Sequence, residues 1–260
     1  MSNYEICFTM NGKAVTQEQI REVELKRCKF VLHDMIKLGV TPTYKGVTVK
    51  DEEIEKMEIE KAKETLSETK AKLGADGIRS VYRDRIISSN QMWREISQNS
   101  PAYQDLQPSI TEVEVKGITM QEFAQFNLYM EKKGTLLFAH PDHFTFQSIE
   151  GGQIIMETMG MYGEPTYCKL IITNEGYKPI TPDPDTKMVM FAAGYLMSDG
   201  TDMKVVGMHQ FKPTPDGLKI KMGIFFPKTT PKEIIEGHKM HLAIEFNNVL
   251  HFIGDTDLNK

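Results

Sequence analysis

The chain has 260 residues, 40% hydrophobic and 26% charged, an ordinary globular balance that can bury a core in one large domain or two modest ones. A formal net charge of -5 without any concentrated Lys/Arg tract disfavours a nucleic-acid surface. The opening residues lack the basic and apolar regions of a signal peptide and no apolar run approaches the roughly 18 residues of a membrane span, so a cytoplasmic protein without a membrane partner is expected.

Up to residue 132 the pattern is mainly helical. Thr16 and Gln19 form a capping-box signature before a helix that carries Val23, Phe30, Val31, Met35 and Leu38 and stops at Gly39. Lys50 to Leu73 is dense in Glu and Lys, with a thin apolar stripe at Ile54, Met57, Leu66 and Leu73. It reads as a solvated helix with ion pairs four residues apart, or as a subunit contact, and with the acidic helical portion it supports a homodimer. A third helical piece surrounds Met92, Trp93 and Ile96, and a fourth begins at the box Thr119 to Glu122 and continues through Phe123, Phe126 and Tyr129.

From Gly134 short β-rich runs separated by turn residues take over, so a boundary at 132/133 is expected between the helical portion, 1–132, and a second unit, 133–260. Strand candidates are His143 to Ser148, Gln153 to Met159, Thr166 to Thr173, Lys187 to Leu196, Met203 to Phe211 and Leu218 to Phe226. The Glu-Gly-Gly, Tyr-Gly-Glu-Pro, Ser-Asp-Gly-Thr-Asp and Thr-Pro-Asp-Gly segments between them read as hairpin turns, which makes an antiparallel meander. A long helix follows, with Thr230 as N-cap, Pro231 at the first helical position, Glu233 as capping-box partner and Gly254 as its end. An α+β fold results: a helix-grip antiparallel sheet wrapped around a long C-terminal helix, with a cavity between them.

Cys7, Cys28 and Cys168 are widely spaced and without a Cys-x-x-Cys pair, so buried or free thiols are expected. The chain has 17 methionines, several of them in the sheet segment; they read as core filling, or as a soft lining for a flat aromatic ligand.

On the last helix, His238, His241 and Glu245 fall within about a 60° arc beside the apolar stripe of Ile235, Leu242, Phe246, Val249 and Ile253. A carboxylate there needs a cation, a hydrogen-bond network or a shifted pKa. A second concentration of histidine, Ala139-His140-Pro141-Asp142-His143-Phe144, lies where the sheet begins. If Gly151 centres the first hairpin, Glu157 falls opposite Thr145 and on the face of His143. Two imidazoles and two carboxylates would then meet at one site, a mixed N/O set that suits zinc. Duller readings compete: the His-Pro-Asp-His segment as a turn in which Asp142 caps backbone amides, Glu157 facing solvent with Glu164 as substitute, and Tyr129 and His209 as core residues.

At these residues the chain resembles the diacetylphloroglucinol hydrolase and phloretin hydrolase family, in its layout, in the His-Pro-Asp-His segment and in the late His-x-x-x-Glu of His241 and Glu245. The resemblance implies a helical N-terminal portion, a helix-grip domain like that of the birch-pollen allergen, and a zinc held by two His and two Glu. It implies hydrolysis of the carbon-carbon bond between an acyl group and a polyhydroxylated ring, with an acylated phenolic substrate. His143, Glu157, His241 and Glu245 are then assigned to the metal, with His140 competing with His143. His209, His238 and Tyr129 become candidates for substrate contact or proton transfer. Two rivals remain: a metal-free carrier of hydrophobic ligands, and a lyase, since Gly223 to Lys228 is similar to a short run in phenolic acid decarboxylases.

Overall fold

A computed structural model describes residues 4–133, 136–173 and 180–256. In chain order the elements are β1 (Glu5–Met10), β2 (Lys13–Val15), α1 (Gln17–Lys37), β3 (Thr43–Tyr44), β4 (Val47–Thr48), α2 (Asp51–Ile54), α3 (Ile59–Val81), α4 (Arg83–Gln98), β5 (Gln107–Lys116) and α5 (Met120–Lys133). After these come β6 (His143–Ile149), β7 (Gly152–Glu157), a single 3-10 turn (Met159–Met161), β8 (Thr166–Thr173), β9 (Met188–Leu196), β10 (Asp202–Thr214), β11 (Gly217–Phe226) and α6 (Lys232–Asp255).

Among the described residues, nine strands form one antiparallel sheet in the order β2-β1-β5-β11-β10-β9-β8-β7-β6. The meander β6 to β11 follows the expected hairpins. Its far edge is closed by β5, which pairs with β11, and then by β1 and β2. The expected division at 132/133 therefore does not separate helices from sheet: strands come from both sides of it, and Gly134 itself lies outside the described residues. The signal for β5 was the strict alternation of Ile110 to Lys116, where Thr111, Val113 and Val115 turn inward and Glu112, Glu114 and Lys116 outward.

The sheet grips α6, burying its whole expected stripe. Leu242, Phe246, Val249 and Ile253 pack on Phe8 of β1, Val113 and Val115 of β5, and Leu218, Ile220 and Met222 of β11. Each such fully buried side chain contributes about 1.5–3 kcal/mol. The ends of α6 differ from expectation. It is capped by Pro231 with no side-chain bond, and the Thr230 hydroxyl is buried without a partner. Gly254 is inside the helix, not past its end. A Cβ there would lie 2.3 Å from the Tyr4 ring, so a larger residue would have to push that ring aside.

The N-terminal helices are fastened to this grip. The Thr16 box closes on α1 and the Thr119 box on α5. The run expected as one solvated helix from Lys50 is broken between α2 and α3, and α3 bends again at Gly74. Nor is it all solvated: Ala62, Thr65, Leu66, Thr69 and Lys70 are buried, and Ala62 and Leu66 join a core that also holds Val31, Met35, Tyr82 and Phe144. The helix α4 closes one end of the grip with Trp93, packed among Cys168, Leu196, Phe226 and Ile234. The three cysteines are free, Cys28 and Cys168 buried. Among the described residues no helix is long and apolar enough to cross a membrane.

Candidate metal centre

Between α6, α5 and the concave sheet face lies a cavity of about 200 Å³. Its walls are apolar, including Phe126, Phe146, Ile155, Met159, Met190 and Phe191. Its ionisable lining groups are His143, Glu157, His209, His238, His241 and Glu245.

Local backbone features aim these groups. The first hairpin turns at Glu150 and Gly151, pairing Ile149 with Gly152, and this register runs as far as Thr145 with Met156. Continued unbroken, it would set Phe144 opposite Glu157 and turn His143 to the other face. A β-bulge at Phe144 intervenes, so His143 pairs directly with Glu157 and both side chains face the cavity. The expected pairing of Glu157 with Thr145 is thus corrected, although the shared face with His143 stands. Phe144, displaced by the bulge, packs against Tyr82 on the helical side at a ring separation of 4.8 Å.

On α6, His238, His241 and Glu245 occupy the predicted arc. Backbone meets backbone where the 3-10 turn crosses the helix: a Cβ on Gly237 would lie 2.0 Å from the Gly160 carbonyl oxygen, and one on Gly160 would lie 2.1 Å from that of Ile234. This approach lets the Gly160 amide donate to His238 Nδ1 at 3.0 Å. The His238 Nε2 must then carry the proton, and His238 is a donor, not a metal ligand through that nitrogen.

Three lone-pair atoms converge. His143 Nε2 stands 3.2 Å from His241 Nε2 and 3.3 Å from Glu157 Oε2, and His241 Nε2 is 3.8 Å from the same oxygen. Ligand atoms around one tetrahedral zinc, with bonds of about 2.0–2.1 Å, stand about 3.3–3.4 Å apart, so this donor set fits the metal. The Nδ1 of His143 faces the Leu136 carbonyl at 3.3 Å, which places the proton on Nδ1 and leaves Nε2 its lone pair, the arrangement common for ligating histidines.

The electrostatics agree. Burial works against the cationic form of His143, yet the Glu157 hydrogen bond and the charges of Glu245 and Glu157 outweigh it and raise its pKa. Burial pushes Glu157 up, but the bond to His143 prevails and holds it low. Glu245, which faces the charges of the same pair, is pushed up chiefly by burial, with the charge of His143 opposing the rise and that of Glu157 adding to it. Burial holds His241 well below the ordinary imidazole value and takes His209 and His238 down to about 4, so all three are neutral at neutral pH.

His140, the competitor for the first ligand position, stands apart. The nearest ligand atoms of His140, His143 and His241 lie within 4.8 Å of one another, so distance alone would admit it. Its Nδ1, however, accepts the Asp142 amide at 3.0 Å, which leaves the proton on the buried Nε2, and it does not line the cavity. Its ring stacks on that of His241, centroids 3.7 Å apart and planes within 9°, and so fixes the plane of that ring. Glu164, the substitute carboxylate, lies 3.6 Å from Arg85 and outside the cavity lining. Tyr129 is not a cavity residue either; its ring packs on Phe252. His209 does line the cavity, edge-on to Phe246, with its Nδ1 buried and without a partner.

The His140 to His143 turn is held from outside by groups that sequence reasoning missed. Arg27 of α1 grips the Asp142 carboxylate with two bonds of 2.9 and 2.5 Å, so this carboxylate pairs with a cation and does not cap amides. Lys70 of α3 donates to the carbonyls of Pro141 and His143, both at 2.6 Å. Nothing in a Glu/Lys-rich helix marks one lysine as buried until its neighbour is known. The Asp142 to Arg27 pair likewise spans 115 positions and leaves no local pattern.

No protein-family model and no curated protein matches this chain. Among solved structures, the crystal structure of Ara h 8.0201 is similar with a TM-score of 0.41 and 13% identity, over 58% of this chain and 99% of that one. The likeness concerns the fold and says nothing of the chemistry.

Proposed function

We propose that the protein is a zinc-dependent hydrolase that cleaves the carbon-carbon bond between an acyl group and a phloroglucinol-type ring. The observation that carries the reading is the convergence of His143 Nε2, His241 Nε2 and Glu157 Oε2 on the lining of a mostly apolar cavity. These three residues would hold the metal, with Glu245 beside them. When bound, zinc supplies a Lewis acid for the acyl carbonyl and lowers the pKa of an attacking water.

The remaining groups have roles their hydrogen bonds define. His238, with its proton on Nε2, donates to a phenolic or carbonyl oxygen of the substrate. His209, neutral and with Nδ1 unpartnered, takes up a ring hydroxyl or moves a proton as the ring leaves as an enol and becomes a phenol. The apolar walls exclude water and seat the flat ring.

The apolar lining also favours a second reading, a carrier of a hydrophobic or aromatic small molecule. A carrier would have no use for two carboxylates and four imidazoles lining its cavity, whose removal from water is costly without a cation. Bound metal separates the two. Elemental mass spectrometry on protein purified without a metal column should find near-stoichiometric zinc, lost in His241→Ala, together with release of carboxylic acid from acylphloroglucinols or phloretin. Absence of metal after reconstitution with zinc would leave the carrier.

A further inference from the structure

We infer that Lys70 and Arg27 are positioning residues for the candidate metal centre, so that the N-terminal helices form part of the working site; this rests on the zinc reading above. Five consecutive carbonyls run through the turn that delivers His143, and each is engaged. Asn248 of α6 donates to the Ala139 oxygen at 3.0 Å, the His143 amide to that of His140 at 3.1 Å, and the Thr158 amide to that of Asp142 at 3.3 Å. Lys70 takes the remaining two, Pro141 and His143, at 2.6 Å each. The Asp142 side chain is fully buried on Arg27, and its amide holds the His140 ring that stacks on His241. Both histidine ligands are thus set by one clamp. Lys70 acts through the backbone of His143, and Arg27 through Asp142 and His140.

A purely structural staple would not need these groups. Lys70 is 3% exposed, and burying an ammonium costs far more than filling the same seam with an apolar side chain. What the ammonium adds is fixation of the carbonyl of the ligand residue itself. The cations come from α1 and α3, helices that lie between β2 and β5 in the chain and outside the sheet itself. Supporting groups of this kind typically tune metal affinity about 10–100-fold.

The test uses the full chain and reads zinc dissociation constants by chelator competition, with the visible absorption of the cobalt-substituted protein as a second measure of ligand geometry. Lys70→Met and Arg27→Gln are compared with wild type and with Tyr4→Phe, which loosens the far end of α6 without touching the turn. The expected result is a loss of zinc affinity of about 10–100-fold in each clamp variant, with an altered cobalt spectrum, and none in Tyr4→Phe. If Lys70→Met does not fold, Arg27→Gln, at the partly open edge of the clamp, decides by the same criterion. Clamp variants that fold and bind zinc within twofold of wild type overturn the inference while the zinc reading stands. A wild type that takes up no zinc removes the reading itself.

Discussion

Replacing Gly237 with alanine should loosen the molecule where the 3-10 turn and α6 meet backbone to backbone. The new methyl carbon would stand 2.0 Å from the Gly160 carbonyl oxygen and 3.5 Å from its Cα, so the 3-10 turn and α6 must separate by about 1 Å before contact is tolerable. Gly160 cannot relieve the clash by moving along α6, because it also lies against the Ile234 carbonyl, so relief comes from moving the turn off the helix. Overpacking of this kind costs about 1–3 kcal/mol. For a chain of this size each kcal/mol lowers Tm by about 2–4 °C, so a fall of about 2–12 °C is expected in thermal denaturation followed by circular dichroism. The same movement stretches the 3.0 Å bond from the Gly160 amide to His238, so His238 should lose its fixed tautomer. Gly77→Ala serves as control: it lies in α3, its added carbon meets only Leu73 at 3.5 Å, and it should stabilise by about 0.5–1 kcal/mol. A Gly237→Ala protein with the Tm of wild type would refute the claim that backbone contact between the two glycines sets the position of the helix.

Three further outcomes are expected. Thr166→Val removes the oxygen that accepts from Trp93 Nε1 and partners Ser89, both at 2.8 Å, and leaves a buried indole donor unpaired. It should cost about 1–3 kcal/mol and shift the emission of the single tryptophan; unchanged emission and stability would count against it. At His33, burial opposes the cation, but hydrogen bonds to Asp51 and Glu55 outweigh it and raise the pKa. Its contribution is therefore fully present below about pH 6.5 and lost as pH rises through the higher folded value. The Tm difference between wild type and His33→Gln should shrink from pH 5.5 to pH 8.5, and a pH-independent difference would sink the assignment. Glu157→Gln keeps the volume of the side chain while removing its charge, so zinc content should fall with the fold intact, as read by elemental analysis beside circular dichroism; full zinc occupancy would exclude Glu157 as a ligand.

Much of the molecule was legible in the chain because its signals are local. Alternation and turn residues marked the strands from His143 to Phe226, capping boxes marked α1 and α5, and the three- and four-residue spacing of His238, His241 and Glu245 put them on one arc. These patterns depend on neighbours within one or two turns, and the structure left them in place. Where a local signal was present but overruled, the cause was contact at a distance. Gly254 carries the local signal of a helix stop, yet it lies within α6, where the Tyr4 ring, far away in the chain, packs against it.

The amino-acid pattern by itself determined that an antiparallel meander would meet a long helix and that histidines and carboxylates would lie at both partners. Which of them converge was decided only by tertiary structure. A bulge at Phe144 turns His143 onto the face of Glu157, one amide bond separates His140 from the ligand positions, and Arg27 and Lys70 hold the turn from helices far back in the chain. The physical reason is common to all three. Periodicity tells which way a side chain points within its own element, whereas register, tautomer and ion pairing are fixed by free energies of contact between elements distant in sequence.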